Sequence, residues 1–201
     1  MGTLAELKTR IASELNRSDL TSAIADQIDR SIDRYASNRF WFNEATRTAS
    51  TTAGSTMATL TTGPRVIDQL LITVGGSKYG LSARSLAEIT ELLGYQSSQG
   101  QPTEYAYSGS TLTFWPTPDA VYTVTATGIF DEPALATDAD SNAWTTEAED
   151  LICYDVLERI ARVKLRNVAL ANEARSLRME AMGLLRAETA RRLSVGISAS
   201  C

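Results

Sequence analysis

The chain has 201 residues, 43% of them hydrophobic, with a net charge of −5 and no histidine. That is enough apolar material for a packed domain, and no run nears the roughly 20 apolar residues that a membrane span needs. Without histidine, Ser-His-Asp and Cys-His nucleophile systems are excluded, and the commonest transition-metal ligand is missing.

The opening Met1-Gly2-Thr3-Leu4-Ala5-Glu6 lacks the basic-then-apolar pattern of a secretion signal. Two cysteines, Cys153 and Cys201, make no disulfide framework, so synthesis in a reducing cytoplasm is expected. Charge is unevenly placed. Residues 51–150 hold 3 Lys/Arg against 12 Asp/Glu, whereas residues 151–201 hold 9 against 5. The overall acidity argues against a dedicated DNA-binding protein but allows a wall past which DNA slides.

Thr3 and Glu6 predict a capping box. Leu4, Leu7, Ile11 and Leu15 then recur at helical spacing, giving a first helix over about 4–16. Leu20, Ile24, Ile28, Ile32 and Tyr35 mark one face of a second helix, about 20–39. Asp26 and Arg30 fall as an i,i+4 pair on its solvated side. Phe40-Trp41-Phe42 follows as an aromatic plug for the core. From Ala45 the composition turns to Thr, Ser and Ala, which predicts a hairpin with strands near 45–52 and 56–62, turned at Gly54. A strand over Val66–Val74 turns at Gly75-Gly76 into a short return over Lys78–Leu81. Ser82 caps a third helix that runs to Leu93 and stops at Gly94, before a polar loop over residues 96–101.

Three strands are expected next: Glu104–Ser108, Thr111–Trp115 and Tyr122–Phe130. In the last, Val124, Ala126 and Gly128 alternate with Thr123, Thr125 and Thr127, the period of a half-buried strand. Asp131–Asn142 reads as an acidic loop. A fourth helix, Glu147–Arg166, is apolar on more than one face and is therefore central. Thr146 with Glu149 is read as its capping box, and Asp155–Arg159 and Glu158–Arg162 as pairs on its remaining stripe. In a fifth helix, about 170–193, Leu170, Ala174, Leu177, Ala181 and Leu184 are spaced 4, 3, 4 and 3 apart, alternating large and small side chains as close helix packing requires. Arg175, Arg178 and Arg186 lie on it without acidic i,i+4 neighbours. Residues 194–201 form a small, polar, flexible tail.

These elements imply an α+β, mainly α fold. Helices 4–39 and 147–193 make a helical bundle, residues 45–130 a β-rich insertion, and residues 1–193 together a single domain. The chemistry is sparse. Asp138, Asp140, Asn142 and Glu149 match positions one, three, five and twelve of a calcium loop, but Ala143 stands where that loop needs glycine and no helix leads in. Gly75-Gly76 precedes Lys78 without the spacing of a phosphate loop. No catalytic residue, metal or cofactor is expected.

Several local patterns, in this order, resemble the head-to-tail adaptor proteins of tailed bacteriophages. They are Leu4-Ala5-Glu6-Leu7-Lys8-Thr9-Arg10-Ile11; Arg39-Phe40-Trp41-Phe42-Asn43-Glu44; Gln101-Pro102-Thr103-Glu104-Tyr105 leading to Phe114-Trp115-Pro116-Thr117-Pro118; and Asn142-Ala143-Trp144 ahead of Asp150-Leu151-Ile152-Cys153-Tyr154. The likeness runs to about Leu193. It implies a structural protein and not an enzyme, forming a ring, typically a dodecamer, beneath the portal of a filled capsid. It also implies neighbouring copies, the portal protein and a downstream tail or nozzle protein as partners. Double-stranded DNA would pass through without sequence recognition, and no membrane is involved. The protein would sit at the head–tail junction of the virion after assembly in the host cytoplasm.

The residues read as the subunit and portal interface are Leu170, Ala174, Leu177, Ala181, Leu184, Arg175, Arg178 and Arg186, with Ser194, Ile197 and Cys201 of the tail. Two alternatives stay open: another virion component such as a tail-completion or minor capsid protein, and a virion-borne cell-wall hydrolase.

Overall fold

The computed structural model describes residues 2–95 and 98–195. In chain order its elements are α1 (Leu4–Glu14), α2 (Thr21–Tyr35), β1 (Glu44–Ser50), β2 (Met57–Thr59), β3 (Pro64–Val74), β4 (Ser77–Gly80), β5 (Ser82–Ala83), α3 (Leu86–Tyr95), β6 (Gln99–Gly100), β7 (Glu104–Ser108), β8 (Thr111–Trp115), β9 (Thr117–Pro118), β10 (Thr123–Phe130), α4 (Ala143–Thr146), α5 (Glu149–Val163) and α6 (Val168–Val195). The chain divides into two compact units, residues 1–43 with 132–201, and residues 44–131.

The expectation of a mainly α chain built on a helical bundle is corrected. The fold is α+β, with 42% helix and 26% strand in six helices and several sheets. The reason lies in the Thr-rich middle, whose strands bury a core of their own instead of decorating a helical one.

In the helical unit, α5 packs against α1, α2, α4 and α6, which is why its apolar residues spread round the helix. Leu151, Ile152, Cys153, Val156, Leu157, Ile160 and Ala161 are all buried. Helix α1 starts at the expected capping box: Thr3 Oγ1 accepts from the Glu6 N–H at 3.2 Å, and Glu6 accepts from the Thr3 N–H at 2.9 Å. It ends where Asn16 takes a left-handed φ of 49°. There the Asn16 and Arg17 N–H groups return to the Ser13 and Ala12 carbonyls at 2.9 and 3.0 Å, closing the last turn as a Schellman motif. The acidic loop completes the other end of α1, because the Asp140 and Asp138 carbonyls accept from the Leu4 and Ala5 N–H groups.

The four residues that resemble a calcium loop are committed to these contacts. Asp138 pairs with Lys8 at 2.7 Å, Asp140 accepts from the Thr137 N–H at 2.7 Å, and Glu149 pairs with Arg10 at 2.9 Å. Asn142 caps α4, accepting from Trp144 and Thr145 N–H groups. The capping box thus belongs to Asn142 and Thr145, one turn earlier than Thr146 and Glu149. The expected fourth helix is correspondingly two, α4 and α5. Among the described residues no cluster of His, Cys, Asp and Glu is arranged to hold a metal ion.

Cys153 is fully buried in this unit. Burial pushes its thiol from 9.0 up to about 12. Because the folded value is raised, the associated stability is complete below pH 9.0 and is lost as pH climbs toward about 12. Iodoacetamide at mildly alkaline pH is therefore expected to leave Cys153 unmodified in folded protein and to alkylate it fully in denaturant, as read by peptide mass mapping. Equal labelling in both states would refute the burial.

The β unit holds two four-stranded sheets, ordered β1-β10-β3-β4 and β2-β8-β7-β5, and a two-stranded parallel pair β6-β9. Their shared core includes Leu60, Leu70, Tyr105, Leu112, Phe114, Val124, Ala126 and Phe130. On β10 the expected alternation holds: Val124, Ala126 and Gly128 are buried while Thr123, Thr125 and Thr127 are more open. A register irregularity falls between Thr127 and Gly128. A Cβ at Gly128 would run into the Val66 carbonyl oxygen, so only glycine lets these two backbones approach so closely.

Three local expectations change. The segments 45–52 and 56–62 do not form a hairpin, since β1 pairs with β10 and β2 pairs with β8 in the other sheet. Gly54, with φ of 78°, is where the chain turns between them. Ser82 starts strand β5 instead of capping a helix. Ser85 caps α3, accepting from the Glu88 N–H at 3.2 Å while Glu88 accepts from the Ser85 N–H at 2.8 Å. Gly94 lies within α3, which continues to Tyr95.

Candidate functional site

Helix α6 is the longest helix of the helical unit. Its 28 residues extend about 42 Å at the helical rise. Asn167 starts it, its side chain accepting from the Leu170 N–H at 3.1 Å, just after Arg166 turns the chain with φ of 52°. The inward stripe is Ala171, Ala174, Ala181, Leu185 and Thr189, all buried, with half-buried Arg178 between them. These positions advance by 3, 4, 3, 4 and 4, the 3.6-residue period of a straight helix.

The Leu/Ala repeat read from the sequence has a period of 3.5 and drifts by roughly 20° per heptad from such a stripe. Ala174 and Ala181 accordingly face inward, Leu170 and Leu177 are half-buried, and Leu184 is 66% exposed. Arg175 and Arg186 are exposed. Met179, 61% exposed, was not anticipated; it shares a flank of α6 with Arg175 and Arg186, about 140° round the helix from Leu184. Ser194 lies within the backbone of α6; its side chain, and Ile197 and Cys201 altogether, lie outside the described residues.

Arg178 has a different position. Its Nε donates to Glu158 at 2.9 Å and its Nη1 to the Tyr35 hydroxyl at 3.1 Å. Burial alone would lower its pKa, but the bonds to Tyr35 and Glu158 prevail and raise it. Arg178 thereby joins a polar centre that ties α2, α5 and α6 together. Asp155, 3% exposed, accepts from Ser31 Oγ at 2.6 Å, from Tyr35 OH at 3.0 Å and from Arg34. Arg159 and Arg178 approach its carboxylate at 3.7 and 3.8 Å. Burial, with Asp155 adding to it, pushes the Tyr35 phenol up, so it stays a donor at neutral pH.

This centre was missed from sequence, where Asp155 was read as a surface partner of Arg159. The signal was present: Ser31 sits on the apolar face that carries Ile24, Ile28 and Tyr35, and Asp155 interrupts a helix apolar on most sides.

Beyond Arg159 the end of α5 is strongly basic. Arg162, Lys164 and Arg166 are exposed and are followed by exposed Val168. At the far end of α6, Glu188 binds Arg191 and Arg192 at 2.7 Å each, and these bonds hold its carboxyl at about 2. Arg192 also lies over the Trp41 ring, 4.6 Å from its centre, pinning α6 to the aromatic turn.

The arrangement presents packing and charge, a helix held rigidly by ion pairs with apolar and cationic groups on its outer side. No helix among the described residues is long and apolar enough to cross a membrane. A search of curated proteins gives no match. A family model described as SU10 adaptor protein matches residues 2–198, nearly the whole chain across both units, and on that match the chain belongs to this family of phage adaptor proteins.

Proposed function

We propose that the protein is a structural subunit of the virion neck, forming a ring beneath the portal that extends the DNA channel, retains packaged genome and receives the tail. The observation that carries the reading is the outer side of α6. Met179, 61% exposed, stands on one flank with Arg175 and Arg186, and Leu184, 66% exposed, stands on the other, apolar anchors on both flanks of a helix whose inner side is already filled. A ring needs a heterologous contact that closes on itself, and a rigid helix offers a well-defined half of one. The portal and a downstream tail or nozzle protein are the remaining partners. Lys164 and Arg166, both exposed, supply sequence-independent positive charge of the kind that meets DNA phosphates. Adaptors are structural proteins, and the reading requires no catalysis.

Mass measurement of the purified protein with and without portal rings tests this. A closed ring on the portal is expected, with no such ring formed by the protein alone. Leu184→Glu removes an anchor whose burial contributes about 1.5–3 kcal/mol, so ring formation should need roughly ten- to hundredfold more protein. Failure to associate with any portal, or absence of the protein from the neck of mature particles, would defeat the proposal.

A further inference from the structure

Between Val168 and Ala187, helix α6 sorts its exposed charges by sign. At about 100° per residue, Val168, Arg175, Met179 and Arg186 fall within about 40° of one another on one flank. Glu173, Glu180 and Leu184 fall within about 40° on the other flank, about 140° away. All four charged residues are exposed, and Val168, Met179 and Leu184 are 66%, 61% and 66% exposed. Each flank thus combines two charges of one sign with an open apolar side chain.

Nothing within the chain answers these charges. Opposite charges on a helix surface support each other when placed three or four residues apart. Arg175, Arg186, Glu173 and Glu180 have no opposite charge at those spacings, and among the described residues none of the four forms an ion pair. Each flank complements the other in charge and in apolar character. Both stand on one rigid helix, so they can meet only between two copies.

The geometry suits a closed assembly. Contact between two different patches is heterologous, and it closes into a ring when the rotation fits. Helices standing side by side in a ring of about ten to twelve need their two contacts about 145–150° apart, close to the separation of these flanks. If the neighbour is displaced by four residues, about 6 Å, its residue 171 stands level with residue 175. Arg175 and Arg186 then come within about 3 Å, along the axis, of the neighbour's positions 173 and 180. We infer that the Arg175–Arg186 flank of α6 in one copy docks on the Glu173–Glu180 flank of α6 in the next. The inference deepens the ring reading and rests on it.

Charge reversal in the full chain tests it. One variant carries Arg175→Glu with Arg186→Glu, so both flanks are acidic. The other carries Glu173→Arg with Glu180→Arg, so both are basic. The side chains are exposed, so both variants should melt where the parent does. Alone, each should need on the order of tenfold more protein than the parent to close on portal rings, read by native mass. An equimolar mixture should assemble like the parent, because acidic and basic copies can alternate, and a misfolded variant could not be rescued in this way. Variants that assemble as readily as the parent, or a mixture no better than its components, would overturn the inference and leave the ring standing. Normal rings that no longer hold DNA would also overturn it, giving the arginines to phosphates. A parent that forms no ring on the portal defeats the ring reading, and the inference falls with it.

Discussion

Replacing Asp155 with alanine is expected to destabilise the helical unit by about 3–5 kcal/mol, the cost of breaking a buried ion pair from one side. Asp155 collects bonds from Ser31, Arg34 and Tyr35 on α2 and lies within 4 Å of Arg159 and Arg178. Removing the carboxylate leaves largely covered Arg34 without that counter-charge, while Arg178 keeps Glu158 at 2.9 Å. The penalty is the stranded Arg34 cation more than the lost bonds, and that distinction can be measured. Asp155→Asn keeps the shape and some acceptor capacity, so it should cost less than alanine. In Arg34→Met with Asp155→Leu, a cation and the carboxylate leave together, and much of the loss should be recovered. Chemical denaturation followed through the helical circular-dichroism signal gives each value. A loss below about 1 kcal/mol for Asp155→Ala would place the carboxylate in the surface class of ion pairs and refute its central role.

Trp144→Ala should produce a loss of similar size, about 3–5 kcal/mol, by a different mechanism. The indole is 2% exposed and meets Phe40 and Phe42 edge-on at 5.9 and 5.1 Å, while Phe40 and Phe42 stack at 5.2 Å. Buried Asn43 holds the turn that aims these rings, accepting from the Phe40 N–H at 2.9 Å and donating to the Asn38 carbonyl at 2.8 Å. Alanine at 144 leaves a void that the fixed turn cannot collapse into. The near-ultraviolet aromatic signal should fade along with stability, and Trp144→Phe should retain more than half of the lost energy. A mutant as stable as the parent would show that the rings are not the keystone of this end of the unit.

Much of the fold was legible because the relevant signals are local. The Thr3–Glu6 box, the glycine turn at 75–76 and the period-two run through Val124 and Ala126 each depend on neighbours within a few residues. The failures are non-local or concern phase. Nothing in residues 45–62 says that β1 will join β10 and β2 will join β8, since strand partners are chosen by the whole core. The Ser85–Glu88 box was as visible as Ser82, but the two-residue strand β5 depends on β7 for its existence. On α6 the alternation of leucine with alanine was real, yet its phase against α5 turns Leu184 outward and Arg178 inward. Asp155 was misplaced because an i,i+4 pair with Arg159 looks like surface chemistry until α2 is packed over it.

The strand pairing of Glu44 with Ile129 has a consequence for biosynthesis. The segment between them enters and leaves through adjacent rungs of one ladder, so once it is folded it works as a clasp that holds its two ends together. The first two helices leave the ribosome long before α5 exists, with Leu7, Ile11, Ile24 and Ile28 unshielded. Completion of the clasp converts a distant encounter into a short-range one, lowering the loop-closure entropy that would otherwise oppose it. Until then the nascent chain carries an apolar surface of the kind that holdase chaperones bind.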